Sequence, residues 1–129
     1  MRLYGPINSG AAVQTAGAGT GIANATSTTI MRGKVIGVYV KYNLTPPAST
    51  DVIVKTVGTS PAAPTQTFLT LTDKNTDGLF MPRTIPHDTV GAALAALTIA
   101  EPVAIYDFVN VSIAGANTAD NVDVWLFME

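Results

Sequence analysis

From residue 31 onward, apolar and polar positions alternate with a period of two, the repeat of strands that bury one face. Within residues 33–44, Ile36, Val38, Val40, Tyr42 and Leu44 fall on one side, while Gly37, Tyr39, Lys41 and Asn43 fall on the other. The Pro46-Pro47 pair then breaks the pattern, because proline fixes φ and removes a ladder donor. Residues 51–57 are rich in β-branched side chains and predict a second strand. A Gly58 to Pro64 break precedes a third strand at residues 65–72. Residues 73–78, Asp-Lys-Asn-Thr-Asp-Gly, carry the Asp-Gly step of tight turns, so the third strand and residues 79–81 are expected to form a hairpin. Asp88 is placed to cap either a short helix through residues 89–97 or a loop feeding a strand at residues 98–100. Strands are expected again at residues 103–114 and 121–128. In the last, Val122, Val124, Leu126 and Met128 alternate with Asp123, Trp125 and Phe127, so one set faces the core and the other needs cover.

Six or seven short strands with turn chemistry between them and no βαβ alternation predict an all-β fold, an antiparallel β-sandwich or jelly-roll-like barrel occupying residues 30–129. Residues 1–29 break with that pattern. From Ser9 to Thr29 they are almost all Ala, Gly, Ser, Thr and Asn, with no charge, and cannot build a core by themselves. They read as an extended arm, with Leu3, Tyr4 and Ile7 as anchors that dock either into a neighbour or back onto the same domain. On that reading, deleting residues 2–29 leaves the sandwich folded.

With 129 residues, 47% hydrophobic, one domain can bury a core without disulfides, and the chain has no cysteine to make one. Seven Lys and Arg against nine Asp and Glu leave no basic excess for a phosphate backbone, so nucleic acid is not the expected partner. The N-terminal residues lack the apolar core of a signal peptide, and no apolar run approaches membrane-spanning length, so neither secretion nor a membrane partner is expected.

Catalytic patterns are weak. His87 is the only histidine, its neighbour Asp88 reads as turn chemistry, and none of the five serines lies in a nucleophile elbow. Glu101 precedes a proline and Glu129 ends the chain, which singles out no carboxylate pair. Residues 73–78 match the first half of an EF-hand loop, but position twelve is Thr84 and Pro82 interrupts the loop, so a hairpin turn is the better reading. Residues 17–21, Gly-Ala-Gly-Thr-Gly, have neither the preceding strand nor the spacing of a phosphate loop. No enzyme activity, cofactor or metal is expected.

Residues 33–42 (Gly-Lys-Val-Ile-Gly-Val-Tyr-Val-Lys-Tyr), 49–52 (Ser-Thr-Asp-Val), 75–78 (Asn-Thr-Asp-Gly) with Pro82-Arg83, His87-Asp88, and 122–126 (Val-Asp-Val-Trp-Leu) carry a resemblance that runs to the C-terminus. Together they resemble virion structural proteins of tailed bacteriophages, of the head decoration or cement type. The resemblance implies a non-enzymatic protein that binds the major capsid protein and itself, often as a trimer. It would be made in the host cytoplasm and end on the capsid surface. It transfers no functional residue. The residues alone nominate Leu3, Tyr4, Ile7, Trp125 and Phe127 as interface candidates. A jelly-roll domain also hosts glycan sites, so a carbohydrate- or receptor-binding module of a tail or spike is the alternative, with Tyr39, Tyr42, Tyr106 and Trp125 as its aromatics.

Overall fold

Eleven strands occur among the described residues: β1 (Arg2–Asn8), β2 (Val13–Gln14), β3 (Gly21–Thr26), β4 (Met31–Asn43), β5 (Asp51–Thr56), β6 (Thr67–Leu71), β7 (Gly78–Phe80), β8 (Arg83–Thr84), β9 (Glu101–Asp107), β10 (Val109–Ala116) and β11 (Asn121–Met128). The computed structural model describes residues 1–59, 63–94 and 100–129, and no helix occurs among them. Sheet I has the order β1-β11-β4-β9-β8, with β7 also pairing β4; sheet II has the order β2-β3-β10-β5-β6. Every ladder is antiparallel. The two sheets pack face to face and do not close into a barrel, so the fold is a β-sandwich.

The core is the layer between the sheets and is built mainly of valine. Sheet I contributes Val35, Val38, Val40, Val122, Val124, Leu126 and Met128, and sheet II Val52, Val54, Val109, Val111 and Ile113. Branched side chains with few rotamers lose little freedom on a pleated surface and fill the roughly 10 Å between stacked sheets. On β11 the aliphatic set is the buried one, which turns Asp123, Trp125 and Phe127 outward.

Four expectations are corrected. Residues 1–29 are not an extended arm: β1 pairs β11 at the edge of sheet I, and β3 pairs β10 inside sheet II. Small residues can line a sheet when a neighbouring strand supplies the apolar bulk, and alanine and glycine here lie against Val111, Ile113 and Ala116 of β10. The sandwich therefore runs from Arg2 to Met128, not from residue 30. Residues 73–78 do not close a hairpin but cross between sheets, because β6 pairs β5 in sheet II and β7 pairs β4 in sheet I. The strand expected at residues 103–114 is two strands in opposite sheets, β9 and β10, joined at Phe108. Finally, strict alternation along β4 fails at Ile36. The β11 register slips there, Phe127 facing Gly37 and Met128 facing Val35, so the inward set is Met31 and Val35, then Val38, Val40 and Tyr42. The Arg83 guanidinium donates to the Ile36 carbonyl at 3.1 Å between the stretches of β4 paired to β9 and to β7. The helix or strand expected within residues 89–100 lies partly outside the described residues; Asp88 caps a turn through Val90 and Ala92.

The sheet-to-sheet corner at residue 107 is held by a buried carboxylate. Asp107 Oδ2 accepts from the Gly58 amide at 2.6 Å and the Thr59 amide at 3.2 Å, and Oδ1 from the Thr59 hydroxyl and the Phe108 amide, both at 2.8 Å. Burial pushes this carboxyl up, but the bonds from Thr59, Gly58 and Phe108 together outweigh it and hold the group below its ordinary value of 3.8. A lowered folded pKa makes the charged form a source of stability above the unfolded value, and that stability is lost as the pH falls through the folded value. Thermal unfolding followed from neutral pH into acid is expected to show a falling Tm once the pH drops below the ordinary aspartate range. Asp107→Asn should lower the Tm at pH 7 and flatten that acid limb; an unchanged acid limb would remove Asp107 from this role.

Candidate functional site

The outer faces of the two sheets differ in chemistry. On sheet II the outward positions mix polar Asn24, Thr26, Lys55, Asn110 and Ser112 with exposed Ile22 and Val57, and Asn110 Nδ2 donates to Thr26 Oγ1 at 3.1 Å. On sheet I, antiparallel register assembles an apolar face row by row. Leu3 of β1 pairs Phe127 of β11, which pairs Gly37 of β4. One row along, Trp125 pairs Tyr39, which pairs Leu79 of β7. The Trp125 and Tyr39 rings lie 5.6 Å apart at 43°. Because Gly37 has no side chain, Leu79 and Phe127 converge over it: a Cβ there would lie 3.3 Å from Leu79 Cδ1 and 3.8 Å from Phe127 Cδ2. Leu3 is 60% exposed, Leu79 53% and Met81, just beyond β7, 61%, while the three aromatic rings are partly buried.

A third row bounds this face with polar groups. Asn8, Asp123 and Lys41 lie side by side on β1, β11 and β4. The Asp123 carboxylate accepts from Asn8 Nδ2 at 2.8 Å and Asn43 Nδ2 at 2.9 Å, and the same two amides donate to Asn121 Oδ1. Asp123 is therefore held in place by neutral donors, with the Lys41 ammonium exposed beside it.

The interface candidates divide accordingly. Leu3, Trp125 and Phe127 share the outer face of sheet I. Tyr4 points inward and packs against the core, and Ile7, 7% exposed, belongs to it; both dock back onto this chain and are corrected as partner anchors. Tyr39 and Leu79 complete the face; from sequence Tyr39 stood only among the aromatics of the glycan-binding alternative, and Leu79 was not nominated. Tyr39 had a signal, since it alternates with the buried set of β4. Leu79 had none, because its place depends on β7 crossing to sheet I.

The other groups that could carry chemistry are committed elsewhere or dispersed. His87 lies outside the two sheets in a single bridge to Ala93, and Asp88 Oδ1 accepts from two turn amides. Asp77 Oδ1 accepts the Tyr42 amide, Asn75 Nδ2 donates to the Pro46 carbonyl, and Asp51 Oδ1 accepts the Asp73 amide. The EF-hand-like segment thus ties the crossover to the ends of β4 and β5. Among the described residues, no group of three or more His, Cys, Asp or Glu is placed to hold a metal ion. The Tyr42 phenol beneath this loop is pushed up to about 12 by burial, with the charges of Asp77 and Asp51 adding to it, so it stays protonated at neutral pH.

Fold and surface together define a β-sandwich with a mixed outer face on sheet II and an aromatic, apolar outer face on sheet I. The chain matches no family model, no curated protein and no solved structure.

Proposed function

We propose that this chain is a non-enzymatic virion structural protein of the capsid decoration type, which binds the major capsid protein and itself and stabilises the head lattice from its outer surface. The observation that supports this reading is the contiguous aromatic and apolar face of Leu3, Phe127, Trp125, Tyr39 and Leu79 on the outside of sheet I. Exposed apolar surface of this kind marks an interaction site, and aromatic side chains dominate the energetics of such contacts. The resemblance of residues 33–129 to head decoration proteins supplies the lattice as partner. An oligomer held through the apolar face would present several copies of a weak lattice contact at once, which raises occupancy by effective concentration.

The test is co-sedimentation of the purified chain with emptied heads of the phage that carries its gene. The wild type is expected to pellet with the heads. Trp125→Glu is expected to lower occupancy roughly tenfold or more while far-UV circular dichroism remains that of the native sheet, as loss of a central aromatic contact does. Asn110→Glu, on the outer face of sheet II, should pellet like the wild type. Failure of the wild type to bind heads at any concentration would overturn the decoration reading.

A further inference from the structure

We infer that the outer face of sheet I is covered by the same face of a second copy, in a two-fold pair. The inference rests on the reading of this face as the oligomer contact and replaces the three-fold that the resemblance implies. The register of sheet I makes the face complementary to itself. Within one chain Asp123 lies beside Lys41, Trp125 beside Tyr39 and Phe127 beside Gly37, with β11 carrying the first of each pair and β4 the second. A two-fold axis between the two faces, running along the strands between β11 and β4, exchanges those strands while keeping each row at its own height. Each β11 residue then meets the β4 residue of its own row in the other copy. Asp123 faces Lys41 of the second copy, and Trp125 faces Tyr39.

The flanking strands fit the same operation. Leu79 on β7 stands one strand outside Tyr39, and Gly5 on β1 stands one strand outside Trp125, where a Cβ would lie 3.1 Å from Trp125 Cδ1. The axis carries exposed Leu79 over the side-chain-free position at Gly5 of the other copy. Exposed Leu79 thus meets the position at Gly5, and one anion meets one cation, each occurring twice as an isologous contact requires. Stacked sheets pack about 10 Å apart at roughly 30° when aligned, which this arrangement satisfies with the axis close to the strand direction.

Light scattering should return twice the 13.4 kDa of the chain. Emission of the single tryptophan, Trp125, should shift to the red when the pair is diluted apart. Lys41→Asp and Asp123→Lys should each weaken pairing roughly a hundredfold, because like charges then face one another. Mixing the two variants should restore the pair, since each carries the charge that the other lacks. Lys41 and Asp123 are also neighbours within one chain, so Leu79→Ala supplies a neutral second variant. It removes the exposed side chain that the axis carries over Gly5 of the other copy, and pairing should weaken about tenfold. A monomer at all concentrations, a trimer, or a dimer in which mixing restores nothing would each overturn the two-fold pair. A monomer that still binds heads would leave the decoration reading standing, and a dimer that ignores them would remove that reading alone.

Discussion

Deleting residues 2–29 is expected to abolish cooperative folding. The deletion removes β1 from the edge of sheet I and both β2 and β3 from sheet II. Without β3, the ladder partners of Asn110 to Ala116 are gone, and the backbone groups of β10 on that side lose their hydrogen bonds. Without β1, β11 becomes an edge strand, and Ile7 and Tyr4 no longer cover the end of the core. The links between these strands also go: the Ser9 amide bonds the Val122 carbonyl at 3.0 Å, the Val122 amide bonds Ser9 Oγ at 3.1 Å, and Ala12 exchanges bonds with Asp120 and Ala119. Three of eleven strands exceed what a domain with roughly 5–15 kcal/mol of net stability can lose. Circular dichroism should show loss of the sheet signal or a broad melt, with exposed apolar surface binding a reporter dye. A sharp transition near the wild-type Tm would show instead that β4–β11 fold alone.

Gly5→Val is expected to disrupt sheet I strongly. Gly5 has φ of +129°, a conformation that side chains rarely adopt, and a Cβ there would lie 2.7 Å from the Val124 carbonyl oxygen and 3.1 Å from Trp125 Cα. Conformational strain of this kind costs about 1–3 kcal/mol, and overlap with backbone atoms that cannot move aside adds to it. A total of about 3 kcal/mol lowers the Tm of a domain of this size by roughly 10 °C. Because the displaced strand lies against Trp125, the emission of that residue should change in the folded protein, before any melting. Val124 and Leu126 on the opposite face of β11 are fully buried, so the two readouts separate loss of β1 from collapse of the core. Native emission and an unchanged Tm would mean that β1 does not pass Trp125 this closely.

Both predictions concern the segment that the sequence described worst. Strands β4, β5 and β11 were legible because each carries its own apolar stripe, and a stripe of period two specifies a strand wherever it occurs. Strand β3 carries little apolar bulk and the apolar residues of β1 are interrupted by Gly5-Pro6, so their strand character comes from pairing with β10 and β11, more than 80 residues away. The bulge at Ile36 was hidden for a related reason. Register slips are decided between two strands, and the pattern of either one continues through them. At the candidate surface, Trp125 and Phe127 were visible as the set left over from β11, but the sequence does not say whether aromatic or aliphatic residues face inward.

What the sequence determined by itself is local. It set the all-β class, the breaks at prolines and glycines, the buried set of the last strand as one of two alternatives, and the absence of a recognisable catalytic pattern. Only the tertiary structure decided that residues 2–8, 13–14 and 21–26 are sheet strands, that residues 73–78 cross between layers, and that Leu3, Tyr39, Leu79, Trp125 and Phe127 share one face. The physical reason is range. Backbone preference and side-chain period act within a few residues, whereas a face on a sheet is made by register between strands that are far apart in the chain.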